Sequence, residues 1–265
     1  MLKARLLALS ALSALCLSLT LSACDDDDDT TPPPEPPISG DAIPTAQGDL
    51  IIHPINHATF AMAWGGKIIY VDPVGGAAPF EGLPRPDVIF VTDIHGDHLN
   101  ADTLTAVAQT QTVIIAPQAV KDMLPAALQG ATQVLANGAT TTVANIGVEA
   151  IPMYNITPER LQYHVKGRGN GYVLTFGGKR VYIAGDTEDI PEMRQLRDIE
   201  VAFVPMNLPF TMTVTQAADA VREFKPKIVY PYHSRGSDLN EFTRLVGTDV
   251  GVEVRVGNWY PPAQP

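Results

Sequence analysis

Cysteine is nearly absent: the 265 residues contain two, Cys16 and Cys24. Both lie near the N-terminus, so the chain after Cys24 has no thiol. That excludes a disulfide framework there and any thiolate metal ligand. Basic residues are also scarce. Lys and Arg number 18 against 29 Asp and Glu, for a formal net charge of −11. That balance argues against nucleic acid as a partner, since such binding wants a basic face. Histidine is sparse as well, with six in the chain. A metal bound beyond Cys24 has His, Asp, Glu and water to draw on.

The N-terminal segment reads as an address. Lys3 and Arg5 form a positive start, an apolar stretch runs from Leu6 to Leu21, and Leu21-Ser22-Ala23-Cys24 reads as a lipobox. Residues 1–23 are then a lipoprotein signal peptide, and Cys24 carries lipid after cleavage. The alternatives are a plain secretory signal or a transmembrane anchor. Each buried lipid methylene contributes ~0.8 kcal/mol, so several acyl chains hold a soluble domain on a membrane of the bacterial envelope. Asp25 to Asp29 and the run Pro32-Pro33-Pro34-Glu35-Pro36-Pro37 follow. Charge repulsion and proline extend such a segment, so residues 24–48 are read as an acidic, proline-rich tether. Residues 49–265 are left as one domain.

Short apolar runs recur through that domain: Leu50-Ile51-Ile52, then 67–71, 88–91, 113–116, 148–151, 172–176, 180–184, 201–204 and 228–232. Many are β-branched and bounded by Gly, Pro, Asn or Asp, the pattern of strands. Gly65-Gly66 and Gly177-Gly178 predict hairpin returns. Asn100 predicts the cap of a helix over 101–109, and Pro125 interrupts a helical pattern over 118–128. Asp189 is read as capping a helix over 191–197, and another helix runs over 215–224 before Pro226. The expectation is an α/β fold of two sheets with helices on their outer faces.

The chemistry concentrates in Thr92-Asp93-Ile94-His95-Gly96-Asp97-His98, directly after an apolar run. Imidazole and carboxylate together suit zinc, iron or manganese. Few single ions would use Asp93, His95, Asp97 and His98 at once, so two divalent ions are expected. His164, Asp186 in Gly185-Asp186-Thr187, and His233 each follow an apolar run or lie in a turn, and are the further candidate ligands. A metal so held lowers the pKa of bound water toward ~7 and makes it a nucleophile, which points to hydrolysis.

This ordered set, Asp93-x-His95-x-Asp97-His98, His164, the Gly185-Asp186-Thr187 turn and His233, resembles the metallo-β-lactamase-fold hydrolases. Asn56-His57-Ala58-Thr59, Val71-Asp72-Pro73 and Pro86-Asp87 are similar to the stand-alone branch that includes ascorbate-phosphate lactonases. The resemblance spans nearly everything from Ile51 to Trp259. It implies an αββα sandwich of two mixed β-sheets flanked by helices, with metals at one edge. It also implies that His95 and His164 bind a first ion, with Asp93 in place of the usual first histidine. Asp97, His98 and His233 would bind a second, and Asp186 would bridge. The ions would be zinc, with manganese or iron admitted at the Asp93 site, because a carboxylate is a harder donor than imidazole. Asp97, His98 and Asp186 would be the catalytic residues.

Other residues carry two readings each. His57 faces the site or is a core histidine. Asp72 and Asp87 cap strand ends or support the site; His53, Trp64 and Trp259 are structural. Lys166 and Arg168, on the glycine-rich loop Lys166 to Gly171, clamp an anionic substrate or belong to a solvated turn. Asn207, within Met206 to Met212, lies in an expected apolar wall beside the site. The function expected is hydrolysis of a small ester, lactone or phosphodiester, anionic or neutral, by a metal-bridging hydroxide, in preference to a β-lactam. The alternatives are a phospholipase-like phosphodiesterase and a non-catalytic metal-binding envelope lipoprotein.

Overall fold

The structure is a computed structural model and describes residues 37–261. The signal segment, Cys24 and the aspartate run lie outside the described residues. β1 (Asp41–Thr45), β2 (Gly48–Asn56), β3 (Thr59–Trp64), β4 (Lys67–Val71), β5 (Val88–Phe90), β6 (Val113–Ala116) and β7 (Thr132–Val134) form one sheet in sequence order. The pairs from β1 to β4 are antiparallel, and those from β4 to β7 parallel. β8 (Thr140–Val143), β9 (Ile146–Met153), β10 (Gly169–Phe176), β11 (Lys179–Ile183), β12 (Ile199–Pro205), β13 (Ile228–Tyr232) and β14 (Glu253–Val254) form the second sheet, again in sequence order. It repeats the scheme, antiparallel up to β11 and parallel beyond.

Side-chain alternation sorts these strands into layers. Leu50, Ile52, Phe60, Met62, Ile69 and Val71 point into the core shared by the sheets, where Phe60 stacks on Phe203 at 4.4 Å. Their neighbours Ile51, Ala61, Ala63, Ile68 and Tyr70 point outward, under α1 (Ala101–Val107) and α2 (Gln118–Met123). On the far side, Ala202 and Val204 pack beneath α5 (Val214–Phe224) and α6 (Leu239–Val246). The central strands are thus covered on both faces, which is why they read as continuous apolar runs. Two short helices, α3 (Ala126–Gln129) and α4 (Pro191–Arg194), complete the outer layers. This is the expected αββα sandwich.

Several boundaries need correction. The globular part starts before residue 49, because β1 lies in the stretch read as tether and pairs along its length with β2. β1 is an edge strand, the place in a sheet where a proline such as Pro44 is tolerated. β3, β7, β8, β14 and α6 were missed. The helix over 118–128 is two pieces, α2 and α3, separated at Pro125. α4 has Ile190 as its N-cap with no side-chain cap, and Asp189 pairs with Arg194 at 2.6 Å instead. α5 begins at Val214, with Thr213 and Gln216 forming a capping box. Both glycine hairpins are as expected, with Trp64 opposite Lys67 and Phe176 opposite Lys179.

Candidate metal centre

The ligand candidates collect at one edge of the sandwich, at or beyond strand ends. Thr92 to His98 follows β5, His164 lies between β9 and β10, Asp186 follows β11 and His233 follows β13. Asp72 follows β4, and His57 sits in the tight turn between β2 and β3. Rigid strands thus fix the starting point of each loop. His57, Asp72 and His233 all have left-handed backbones, with φ of 56°, 44° and 44°. Such strain costs about 1–3 kcal/mol per residue and persists where the surroundings impose it. Here the His57 N–H donates to Trp259 O at 2.8 Å, and the His233 N–H donates to His57 O at 3.1 Å. Gly185 serves the same end: a Cβ there would lie 2.7 Å from Met153 Sδ, and its φ is +65°.

Two clusters result. Asp97, His98, Asp186 and His233 form one; Asp93, His95 and His164 form the other. His233 Nε2 lies 3.2 Å from Asp97 Oδ2 and 3.3 Å from Asp186 Oδ1. Asp186 Oδ2 is 3.2 Å from His98 Nε2 and 3.3 Å from His164 Nε2, so Asp186 stands between the clusters. The donor set fits a divalent cation. His98 Nε2, His164 Nε2 and Asp186 Oδ1 are buried, and none has a hydrogen-bond partner. An unsatisfied buried polar atom costs about 1–3 kcal/mol; a cation among Asp97, His98, Asp186 and His233 would answer two of them, His98 Nε2 and Asp186 Oδ1.

Other side chains aim the imidazoles. Asp72 Oδ2 accepts from His98 Nδ1 at 2.7 Å, and Thr92 Oγ1 donates to the same oxygen at 2.7 Å. Asn155 Oδ1 accepts from His164 Nδ1 at 2.9 Å. Each bond consumes Nδ1–H and turns the Nε2 lone pair toward the cluster. The Ser234 N–H donates to Tyr260 Oη at 2.8 Å, which leaves the Tyr260 hydroxyl to donate to His57 Nδ1, also at 2.8 Å. His57 then presents Nε2–H to Asp97 Oδ2, 3.4 Å away.

The charges follow from these contacts. Burial works against a charged His98, but the carboxylates of Asp186 and Asp72 outweigh it and hold its pKa well above 6.5. Burial alone would raise Asp97 and Asp186. Hydrogen bonds from His233 and His57 pull Asp97 far down instead, and the charges of His233 and His98 nearby pull Asp186 well down. Burial also opposes ionisation of Asp93, yet His95 and Arg168 hold its pKa below the usual value.

All seven sequence-derived ligand candidates therefore fall in the two clusters. His57 faces the site, and Asp72 supports it through His98. Asn155 and Tyr260 were missed; neither lies near a ligand motif that would have flagged it. Asp87 caps the start of β4, accepting from the Ile68 N–H at 2.9 Å. Lys166 pairs with Glu192 at 2.6 Å and with the Tyr154 hydroxyl, and Arg168 with Asp93, so neither cation of this loop stands free for an anion. Asn207 Nδ2 donates to Arg235 O, tying the 206–212 loop to the segment after His233. In that loop Met206 and Met212 are buried while Leu208 and Phe210 are exposed.

A family profile described as a beta-lactamase superfamily domain matches residues 52–233. A metal-dependent hydrolase of Pyrococcus furiosus is 30% identical over 76% of this chain and 93% of its own length. One from Thermococcus onnurineus is 31% identical over 73% and 90%. Among solved structures, a protein described as a metal-dependent hydrolase from Parabacteroides distasonis is 44% identical, with a TM-score of 0.76 over 82% of this chain and 97% of that one. Matching profile, relatives along most of their length, and clustered His and Asp side chains agree: the chain belongs to the metal-dependent hydrolases of the β-lactamase superfamily.

Proposed function

We propose that the protein is an envelope hydrolase, held to a membrane by lipid on Cys24, that cleaves a small ester, lactone or phosphodiester. The observation that carries the reading is the convergence of buried, unpartnered His98 Nε2, His164 Nε2 and Asp186 Oδ1 at one sheet edge. Asp97, His98, Asp186 and His233 would hold a divalent ion, expected to be zinc. Such an ion supplies an acidified water and polarises the oxygen of the scissile group. The remaining roles fall to side chains. The Asp97 carboxylate is 45% exposed, the most open of its cluster, and is placed to orient the attacking water. His57, fixed by Tyr260, steadies Asp97 Oδ2. The first ion expected beside Asp93, with manganese or iron admitted there, meets the Arg168 guanidinium already in place.

A panel of chromogenic phosphodiesters, lactones and a cephalosporin tests the reading, with Asp97→Ala as control. Turnover of one class by the parent protein and its loss in the variant support it. Bound metal with no turnover of any class would leave a metal-binding envelope lipoprotein.

One observation favours a phospholipase-like variant of the same reading. Ile156, Leu161, Val165, Leu208 and Phe210 are exposed apolar side chains on the two loops beside His164. Asn155 Nδ2 donates to Phe210 O and Arg160 Nη1 to Thr211 O, fastening the loops together. An apolar rim of this kind suits an acyl-bearing substrate. Cleavage of phospholipid in vesicles, faster than that of soluble diesters, is the expected result.

A further inference from the structure

We infer that Arg168 fills the place of the first metal ion, so that the protein holds one tightly bound ion, at Asp97, His98, Asp186 and His233. The inference rests on the reading of that four-residue cluster as a metal centre. Arg168 grips Asp93 with both ends of its fork: Nε donates to Oδ1 at 3.1 Å and Nη2 to Oδ2 at 2.9 Å. The same Nη2 lies 3.3 Å from His95 Nε2 and donates to Tyr163 O at 2.7 Å. One guanidinium nitrogen thus touches two of the three residues of that cluster. Asp93 is completely buried, and the Arg168 side chain is 21% exposed.

The backbone makes this placement a fixed feature. The Asn170 N–H donates to Thr92 O at 2.9 Å, setting the start of β10 against the residue before Asp93. Gly169, between Arg168 and Asn170, has no room for a side chain, since a Cβ would lie 2.9 Å from Thr92 O and 2.6 Å from Met153 Cε. Arg168 is therefore carried to Asp93 by main-chain packing.

The charges separate the clusters. Asp97 and Asp186 bring two carboxylates with imidazoles and no Lys or Arg partner among the described residues. Asp93 brings one, and Arg168 already neutralises it. A divalent ion entering beside Asp93 would have to break a two-pronged, charge-assisted pair and stand next to a cation that does not deprotonate. A histidine in place of Asp93 would leave Arg168 no carboxylate partner here. Aspartate there matches the arginine.

The test is a metal count, which needs no substrate. Metal-free protein is loaded with excess Zn2+, and separately with Mn2+, then desalted and analysed by plasma mass spectrometry. About one ion per chain is expected for the parent and about two for Arg168→Gln, whose neutral amide frees Asp93. Asp93→Asn checks the same point without touching the arginine and is expected to stay at the parent value. Two retained ions in the parent, an unchanged count in Arg168→Gln, or a fall in Asp93→Asn would each overturn the inference. Retention of no ion at all would instead remove the metal centre itself, and the inference with it.

Discussion

Asp72 and His98 form a fully buried pair, with the carboxylate 2.7 Å from the imidazole Nδ1. The two residues lie beyond the ends of different strands, Asp72 directly after β4 and His98 in the loop after β5, and those strands run side by side. The carboxylate fixes the ring, and the ring presents Nε2 to the cluster. Removing such a partner costs roughly 10–100-fold in metal affinity or activity in comparable sites. Asp72→Asn is expected to lower metal affinity by about that factor, read by competition with a chelator. Unchanged affinity would show that His98 is aimed by packing alone.

Tyr260 and His57 extend the support to Asp97. Tyr260→Phe removes the hydroxyl at His57 Nδ1 and is expected to reduce kcat about tenfold with metal retained, the low end of the range for such partners. His57→Ala should cost more. If His57→Ala leaves kcat and its pH profile untouched, the histidine is a packing residue only.

The loop carrying His164 hangs on a buried acid. Glu188 is fully buried, its Oε2 accepts from the Ile156 and Thr157 N–H groups at 2.6 Å each, and Oε1 lies 2.9 Å from Arg160 Nη2. Breaking a buried pair from one side costs about 3–5 kcal/mol. Arg160→Ala is expected to fall near the lower bound, since its side chain is 14% exposed, and to loosen Thr211 as well. Chemical denaturation measures it. A change below ~1 kcal/mol would mean water takes over the arginine's role.

Glu200 bridges the second sheet, 3.1 Å from Lys179 and 3.0 Å from Lys227. Partial burial raises its pKa, but the two lysines prevail and hold it below the ordinary 4.5. A depressed folded-state pKa means stabilisation that is complete above the unfolded value and is lost as the pH falls through the folded one. Glu200→Gln should therefore lower Tm at pH 7 by about 2–4 °C, for a loss near 1 kcal/mol. The gap should close as the pH falls through the lowered pKa, below the ordinary 4.5. A gap constant across that range would assign the loss to packing.

The ligands were legible because they are concentrated in one short run, Asp93 to His98, and otherwise stand at strand ends that the apolar pattern reveals. The layers were legible for the same reason, as strands such as β4 and β5 bury both faces. Partners that act across the fold were hard to see. Asn155 reaches His164 from the end of β9, and Tyr260 meets His57 from 203 positions away. Arg168 was visible as a cation near a ligand, but its pairing with Asp93 depends on β10 packing against Thr92. β1 escaped because it is a short, half-exposed edge strand with a proline in it, so nothing distinguished it from the tether before it.

The central claim is that the Asp97 cluster binds a divalent ion and uses it for hydrolysis. The most direct test measures metal content and turnover together, in the parent protein and in Asp97→Ala, on the substrate class that the panel selects. The account predicts bound metal and turnover in the parent, with both lost or sharply reduced in the variant. Full turnover by Asp97→Ala at undiminished metal content would contradict it.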